Sequence, residues 1–166
     1  MSIVPRDFDC QELDPIDIVE TLAEERLWDF DRIAADQIAM AIQGTWGTYS
    51  VTVAWSARDE TLRLICAFEI VVPPDRLSAA YATMCLANDK CWTGAFVFWP
   101  HQKMMAYRYG LNLTGDAEAS SAQINDMVRS AVAACERFYL AFQEICGRTT
   151  PEAAIAMAIN ETYGRA

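Results

Sequence analysis

The sequence predicts an α+β fold, and two observations carry the prediction. Between residues 48 and 113 apolar side chains recur at every second position in two pairs of neighbouring segments, the signature of strands joined as hairpins. Between Ala117 and Cys146 they recur instead at three- and four-residue spacing, which is the period of a helix buried along one face. A length of 166 residues suits one domain, expected over residues 1–166 with less ordered tails at 1–13 and 159–166, and 53% hydrophobic residues provide for a core without staples.

Asp14-Pro15 reads as a helix start of N-cap and N1 type, and Ile16, Val19, Leu22, Ala23 and Leu27 follow at helical spacing, predicting a helix over 15–27. Its outer face carries Asp17, Glu20, Glu24 and Glu25, read as a solvated surface. Residues 33–43 suit two patterns. Ile33, Gln37, Ile38, Ala41 and Ile42 fit a helix, Ile38, Met40 and Ile42 alternate as in a strand, and local propensity favours helix. Tyr49, Val51, Val53 and Trp55 then alternate with small polar residues, predicting a strand over 48–57. After a turn at 57–60, Leu62, Leu64, Cys66, Phe68, Ile70 and Val72 make a second strand over 61–72, with Arg63, Ile65, Ala67 and Glu69 on its other face. These two form a hairpin.

Pro73-Pro74 ends the strand and starts a helix over 74–89, with Leu77, Tyr81, Met84 and Cys85 on one side. Strands follow at 94–99 and 103–113 around the polar connection Pro100-His101-Gln102. The long stripe predicts a helix over 117–146, roughly 40 Å at ~1.5 Å per residue. Gly147 ends it, and Thr150-Pro151-Glu152 opens a last helix over 151–158.

Composition excludes several function classes. With 23 acidic and 13 basic residues the net charge is −10, which argues against tight binding to nucleic acid or to anionic lipid, since both need a basic surface. Residues 1–36 hold eleven of the acids and three of the bases, so the acidity is concentrated at the N-terminal end. The first ten residues lack the basic and apolar regions of a signal peptide, and no apolar run approaches the ~18 residues needed to cross a bilayer, so a cytoplasmic, non-membrane protein is expected.

The six cysteines, at 10, 66, 85, 91, 135 and 146, form no CxxC, and His101 is the one histidine. No metal, cofactor or disulfide is expected, and Cys66, Cys135 and Cys146 read as core residues. A lone histidine in a turn leaves a nucleophile without an oriented base, the glycines are too scattered for a phosphate loop, and no catalytic residue is assigned. The aromatic strand is more informative. Phe96, Phe98 and Trp99 make both of its faces bulky and apolar, so that either both are covered or one binds something, and Arg108 interrupts an otherwise uncharged strand. Phe96, Phe98, Trp99 and Arg108 are the candidate partner-binding residues.

The order of landmarks resembles the YbjN family of bacterial proteins, described as sensory transduction regulators and similar in fold to type III secretion chaperones. The landmarks are Trp46-Gly47 with Tyr49, Trp55, Val72-Pro73, Asn88 before Gly94-x-Phe96, Trp99-Pro100, Tyr107-Arg108, the run Cys135-Glu136-Arg137-Phe138-Tyr139 with Phe142-Gln143, and Pro151-Glu152-Ala153. They extend over about residues 15–157, and their order is more specific than any one of them. The resemblance implies one antiparallel sheet packed against helices, and a strand over 36–43 despite its helical propensity. It transfers no catalytic motif, and His101 stands where the family's turn is usually acidic or glycine-containing. The function expected is therefore a non-enzymatic interaction module, a regulator or chaperone-like protein that binds a polypeptide partner. The alternative is a small-molecule-binding protein or a carboxylate-dependent hydrolase with its site between sheet and long helix. A homodimer is expected, because strand residues on opposite faces are both apolar and the chaperones it resembles are commonly dimers.

Overall fold

The computed structural model describes residues 14–163, and its centre is a six-stranded antiparallel sheet in the order β1-β2-β3-β4-β6-β5. The strands are β1 (Asp29–Ala34), β2 (Gln37–Gln43), β3 (Thr48–Ser56), β4 (Thr61–Glu69), β5 (Gly94–Trp99) and β6 (Met104–Asn112). The helices are α1 (Pro15–Glu25), α2 (Leu77–Asn88), α3 (Ser121–Glu144) and α4 (Pro151–Tyr163), with a single 3-10 turn at Pro74–Arg76 leading into α2. The chain runs through β1 to β4 as a meander. It then crosses by α2 to the far edge and returns as β6, which inserts between β5 and β4.

The expected hairpin of residues 48–72 forms in full register, from Ser50 opposite Ala67 to Ser56 opposite Thr61. Residues 37–43 are strand, as the resemblance implied and local propensity did not, because β1 and β3 flank them and pair with every residue. β1 itself is absent from the sequence reading. Asp29, Asp31 and Arg32 dilute its apolar pattern, and a bulge between Arg32 and Ala34 breaks the alternation.

Several boundaries differ from expectation. The first helix stops at Glu25, and Leu27 is not on its apolar stripe: it sits at φ 57° and is 91% exposed. The Leu27 N–H bonds Glu24 and the Trp28 N–H bonds Ala23, which together make a Schellman motif that closes the helix. Helix α3 starts at Ser121 rather than 117, because Ser120 and Gln123 form a reciprocal capping box. α4 runs through Tyr163, past the expected end at 158 and into the segment expected to be a tail; residues 1–13 and 164–166, the rest of the expected tails, lie outside the described residues. The buried face of α2 is Ala80, Thr83 and Ala87 rather than Leu77, Tyr81, Met84 and Cys85. Small side chains let this helix approach closely, and Tyr81 is left 45% exposed against Phe98.

All four helices lie on one side of the sheet. α1 covers the β1–β3 end, where Arg32 of β1 bonds Asp17 and Glu20 of α1, both at 2.7 Å. Two of the four acids read as solvated are thus held by a cation. α3 crosses the sheet, packing Phe138, Tyr139 and Phe142 on Tyr49, Phe68 and Phe96, with ring centroids 5.1–6.4 Å apart. α4 closes over α2 and α3, and Arg76 ties the turn beyond α3 by donating to the carbonyls of Ile145, at 2.7 Å, and Thr149.

The β5 edge is closed in a specific way. Asn88, at the end of α2, accepts from the Phe96 N–H at 2.6 Å and donates to the Phe96 carbonyl at 3.1 Å. One side-chain amide thereby stands in for a neighbouring strand. Asn88→Ala leaves both backbone groups of Phe96 without that partner and should cost about 1–3 kcal/mol, read as a lowered urea midpoint at unchanged m-value. An unchanged midpoint would show the edge cap to be dispensable.

Candidate functional site

The antiparallel register divides the candidate residues between two faces. Phe96 and Phe98 pair with Tyr107 and Met105 and point to the helices, where Phe96 is 1% and Phe98 8% exposed. They belong to the core, because α3 and α2 cover them. Trp99 and Arg108 belong to the opposite face, on which no described helix packs. His101 is exposed in the turn between β5 and β6.

That open face has two halves. On β1, β2 and β3 it presents Asp29, Asp31, Gln37, Gln43, Ser50, Thr52 and small alanines. On β4, β6 and β5 it presents Ile65, Met104, Val97 and Trp99 around the buried Ala67 and Ala106, with one exposed carboxylate, Glu69, opposite Met104. Arg108 stands on the central strand of this half at one end of its apolar rows, opposite Ile65 on one side and Ala95 on the other, and Arg63 is its diagonal neighbour opposite Gly110. Between them the surface is concave, with a volume of about 680 Å³ lined by Thr61, Arg63, Ile65, Val97, Trp99 and Arg108. Arg63 also pairs with Asp59 in the β3–β4 turn, whereas no carboxylate among the described residues pairs with Arg108. Sequence reading found Arg108 and Trp99 but not Arg63 and Ile65, which reach Arg108 only through the pairing of β4 with β6, strands that no hairpin joins.

On the helix side, the carboxylate nearest the position expected of a hydrolase is Glu136 of α3. It is engaged structurally: Glu136 Oε1 accepts from the Tyr49 hydroxyl at 2.6 Å and from the Trp46 N–H at 3.3 Å, clamping the β2–β3 turn to α3. Gly44 is required beneath it, since a Cβ there would lie 2.1 Å from Glu136 Oε1 and 2.4 Å from the Tyr49 ring. Burial works to raise the Glu136 pKa, but the bonds from Tyr49, Trp46 and Thr45 outweigh it and hold the carboxyl below its usual range. Burial and the neighbouring carboxylate push the Tyr49 hydroxyl upward.

Of the cysteines read as core, Cys66 and Cys135 are fully buried and Cys146 is half-buried; these three, with Cys85 and Cys91, carry free thiols, and Cys10 lies outside the described residues. Among the described residues no His, Cys, Asp and Glu side chains gather as metal ligands, and no helix is long and apolar enough to cross a membrane.

An antiparallel sheet with every described helix on one face and, among the described residues, a half-apolar open face defines an α+β protein. Comparison with known proteins then gives the family: the model for YbjN, "Putative bacterial sensory transduction regulator", matches residues 15–144, and the chain belongs to that family. The fold is also that of the "Crystal structure of YbjN, a putative transcription regulator from E. coli", at 11% identity and a TM-score of 0.53, covering 88% of this chain and 93% of that one. Comparison with curated proteins finds no match.

The Glu136 clamp sets a pH dependence whose sign follows from its lowered pKa. A carboxylate held below its ordinary 4.5 contributes stability that is complete above that value and is lost as pH falls through the folded-state pKa. Glu136→Gln should therefore lower stability at neutral pH by roughly 1–2 kcal/mol, and the gap to the parent protein should narrow below about pH 4. Urea denaturation of both proteins at neutral and acid pH checks this, and a gap that is independent of pH would contradict it.

Proposed function

We propose that this chain is a non-enzymatic interaction module, a cytoplasmic regulator or chaperone-like protein that binds a polypeptide partner across β4, β6 and β5. The observation that carries the reading is the open apolar half-face, in which Trp99, Val97 and Ile65 line one concavity with Arg108, with which no carboxylate among the described residues pairs. Apolar surface rimmed by a few charges is the composition of an interface, with an aromatic and an arginine as anchors. The face, not the edge, is the binding surface in this reading, because Asn88 already occupies the edge groups of Phe96 that an added strand would need. The description of the E. coli protein as "a putative transcription regulator" accords with a regulatory role. A net charge of −10 favours a role exerted through protein contacts rather than through DNA.

Replacing Val97 with a photo-reactive phenylalanine analogue tests the reading in cells of the native host. Irradiation should yield discrete polypeptide adducts that Arg108→Glu removes and that the same analogue at Glu24, on the helix side, does not give. Adducts equal at both positions, or none, would defeat it.

The same half-face supports the homodimer. Coverage of Phe96 and Phe98 removes part of the apolar surplus from which pairing was expected, but Trp99, Val97 and Ile65 remain. Light scattering after gel filtration at micromolar concentration should give close to twice 18.6 kDa, with Trp99→Ala shifting the mass toward one chain. A parent protein of 18.6 kDa would remove the dimer.

A further inference from the structure

A second concavity lies on the helix side, between the middle of α3 and the loop joining α2 to β5, and shares only Thr93 with the lining of the open-face concavity. Its volume is about 270 Å³, and Lys90, Trp92, Thr93, Ser130 and Arg137 line it above the ring of Phe138. Three features set it apart. None of its ten lining residues is acidic, in a chain that carries 23 carboxylates. The Arg137 guanidinium lies over the Phe138 ring, 5.0 Å from its centroid; its Nε is buried without a hydrogen-bond acceptor, and no carboxylate among the described residues pairs with it. At the rim the indole of Trp92 is 98% exposed, the highest fraction of any large hydrophobic side chain among the described residues.

Each feature has a physical cost or consequence. A buried guanidinium N–H without an acceptor costs desolvation energy that an anion would recover, and its fork geometry suits two oxygens of one carboxylate or phosphate. Lys90 adds a second cation, sharing itself with the exposed Asp89 at 3.3 Å. The Ser130 hydroxyl, and that of Thr93 at 3.1 Å from the Tyr107 hydroxyl, offer neutral donors. The volume falls just short of the ~300–1,000 Å³ that encloses a whole drug-sized ligand, so it suits an anionic head group whose body remains outside, against Trp92.

We infer that this cleft binds a small ligand made of a phosphate or carboxylate head held by Arg137 and Lys90 and a planar ring stacked on Trp92. Such a ligand is chemically distinct from the polypeptide of the open face, and the two readings stand or fall separately. The test follows the Arg137 Nε–H resonance of the full chain during titration with phenyl phosphate, benzoate and inorganic phosphate at constant ionic strength. Saturable shifts are expected, with the better of the two aromatic probes half-saturating about five- to tenfold below inorganic phosphate because of ring stacking, and with the order of the two identifying the head group. Trp92→Ala should abolish that aromatic advantage, and Lys90→Gln should weaken every probe about threefold or more, from loss of one charge contact. Arg63→Ala and Arg108→Ala, on the open face, should leave the titrations unchanged. Shifts that rise without saturation, or half-saturations unaffected by both Trp92→Ala and Lys90→Gln, would overturn the inference. Both replaced side chains are in a surface loop, so neither variant depends on the core for folding.

Discussion

The structure depends on α3 lying across the sheet. Its Phe138, Tyr139 and Phe142 meet rings from β3, β4 and β5, so a single helix fixes strands that are as far apart in sequence as Tyr49 and Phe96. Burying one phenylalanine is worth ~1.5–3 kcal/mol, and no other element of the fold touches so many strands through side chains of that size. Once α3 is seated, the period of two in β4, β5 and β6 decides everything about the other face. Phe96 must point inward and Val97 outward, and a one-residue slip would exchange them. The open half-face is thus a consequence of core packing on the opposite side.

The polar contacts have a different task, which is to hold connections in place. Asn88 closes the edge of β5, Glu136 clamps the β2–β3 turn, Arg76 ties down the chain beyond α3, and Arg32 holds α1 to β1. Several are landmarks of the family resemblance: Asn88 before Gly94-x-Phe96, Trp46-Gly47 with Tyr49, and the run that contains Glu136. The hydrogen bonds they make close turns and an edge. Tyr49 and Glu136 are 87 residues apart in sequence yet meet at 2.6 Å through Glu136 Oε1.

Legibility in the sequence tracked how local the deciding physics was. The β3–β4 hairpin, the β5–β6 pair and the extent of α3 to within a few residues followed from periodicity, since one buried face imposes its period directly. β1 did not, because an edge strand with Asp29, Asp31 and Arg32 is polar on the outside and held inside partly by an ion pair. The buried face of α2 was misread because alanine, not the larger side chains, marks close helix packing. Of the candidate site, Trp99 and Arg108 were visible as a bulky residue and an intruding charge. Their separation from Phe96 and Phe98 needed only strict alternation, whereas their grouping with Arg63 and Ile65 needed the pairing of β4 with β6, strands separated by a helix and another strand. The Arg137 cleft was beyond reach, since it is assembled from a loop and a helix that sequence spacing cannot bring together.

Charge adds an orientation to the open face. Asp29 and Asp31 lie at its β1 edge, while Arg63 and Arg108 outnumber Glu69 in its β4–β6–β5 half, so the two ends of the face differ in the balance of sign. For a partner bound in the apolar half, that asymmetry acts before contact: an acidic segment is drawn to the arginines and turned away from the β1 edge, and a basic one is misdirected to the polar half, where few apolar side chains wait. Discrimination of this kind needs repulsion as well as attraction. Of the acids concentrated in the first 36 residues, Asp29 and Asp31 stand on this face and would supply the repulsion, whereas those of α1 lie on the helix side.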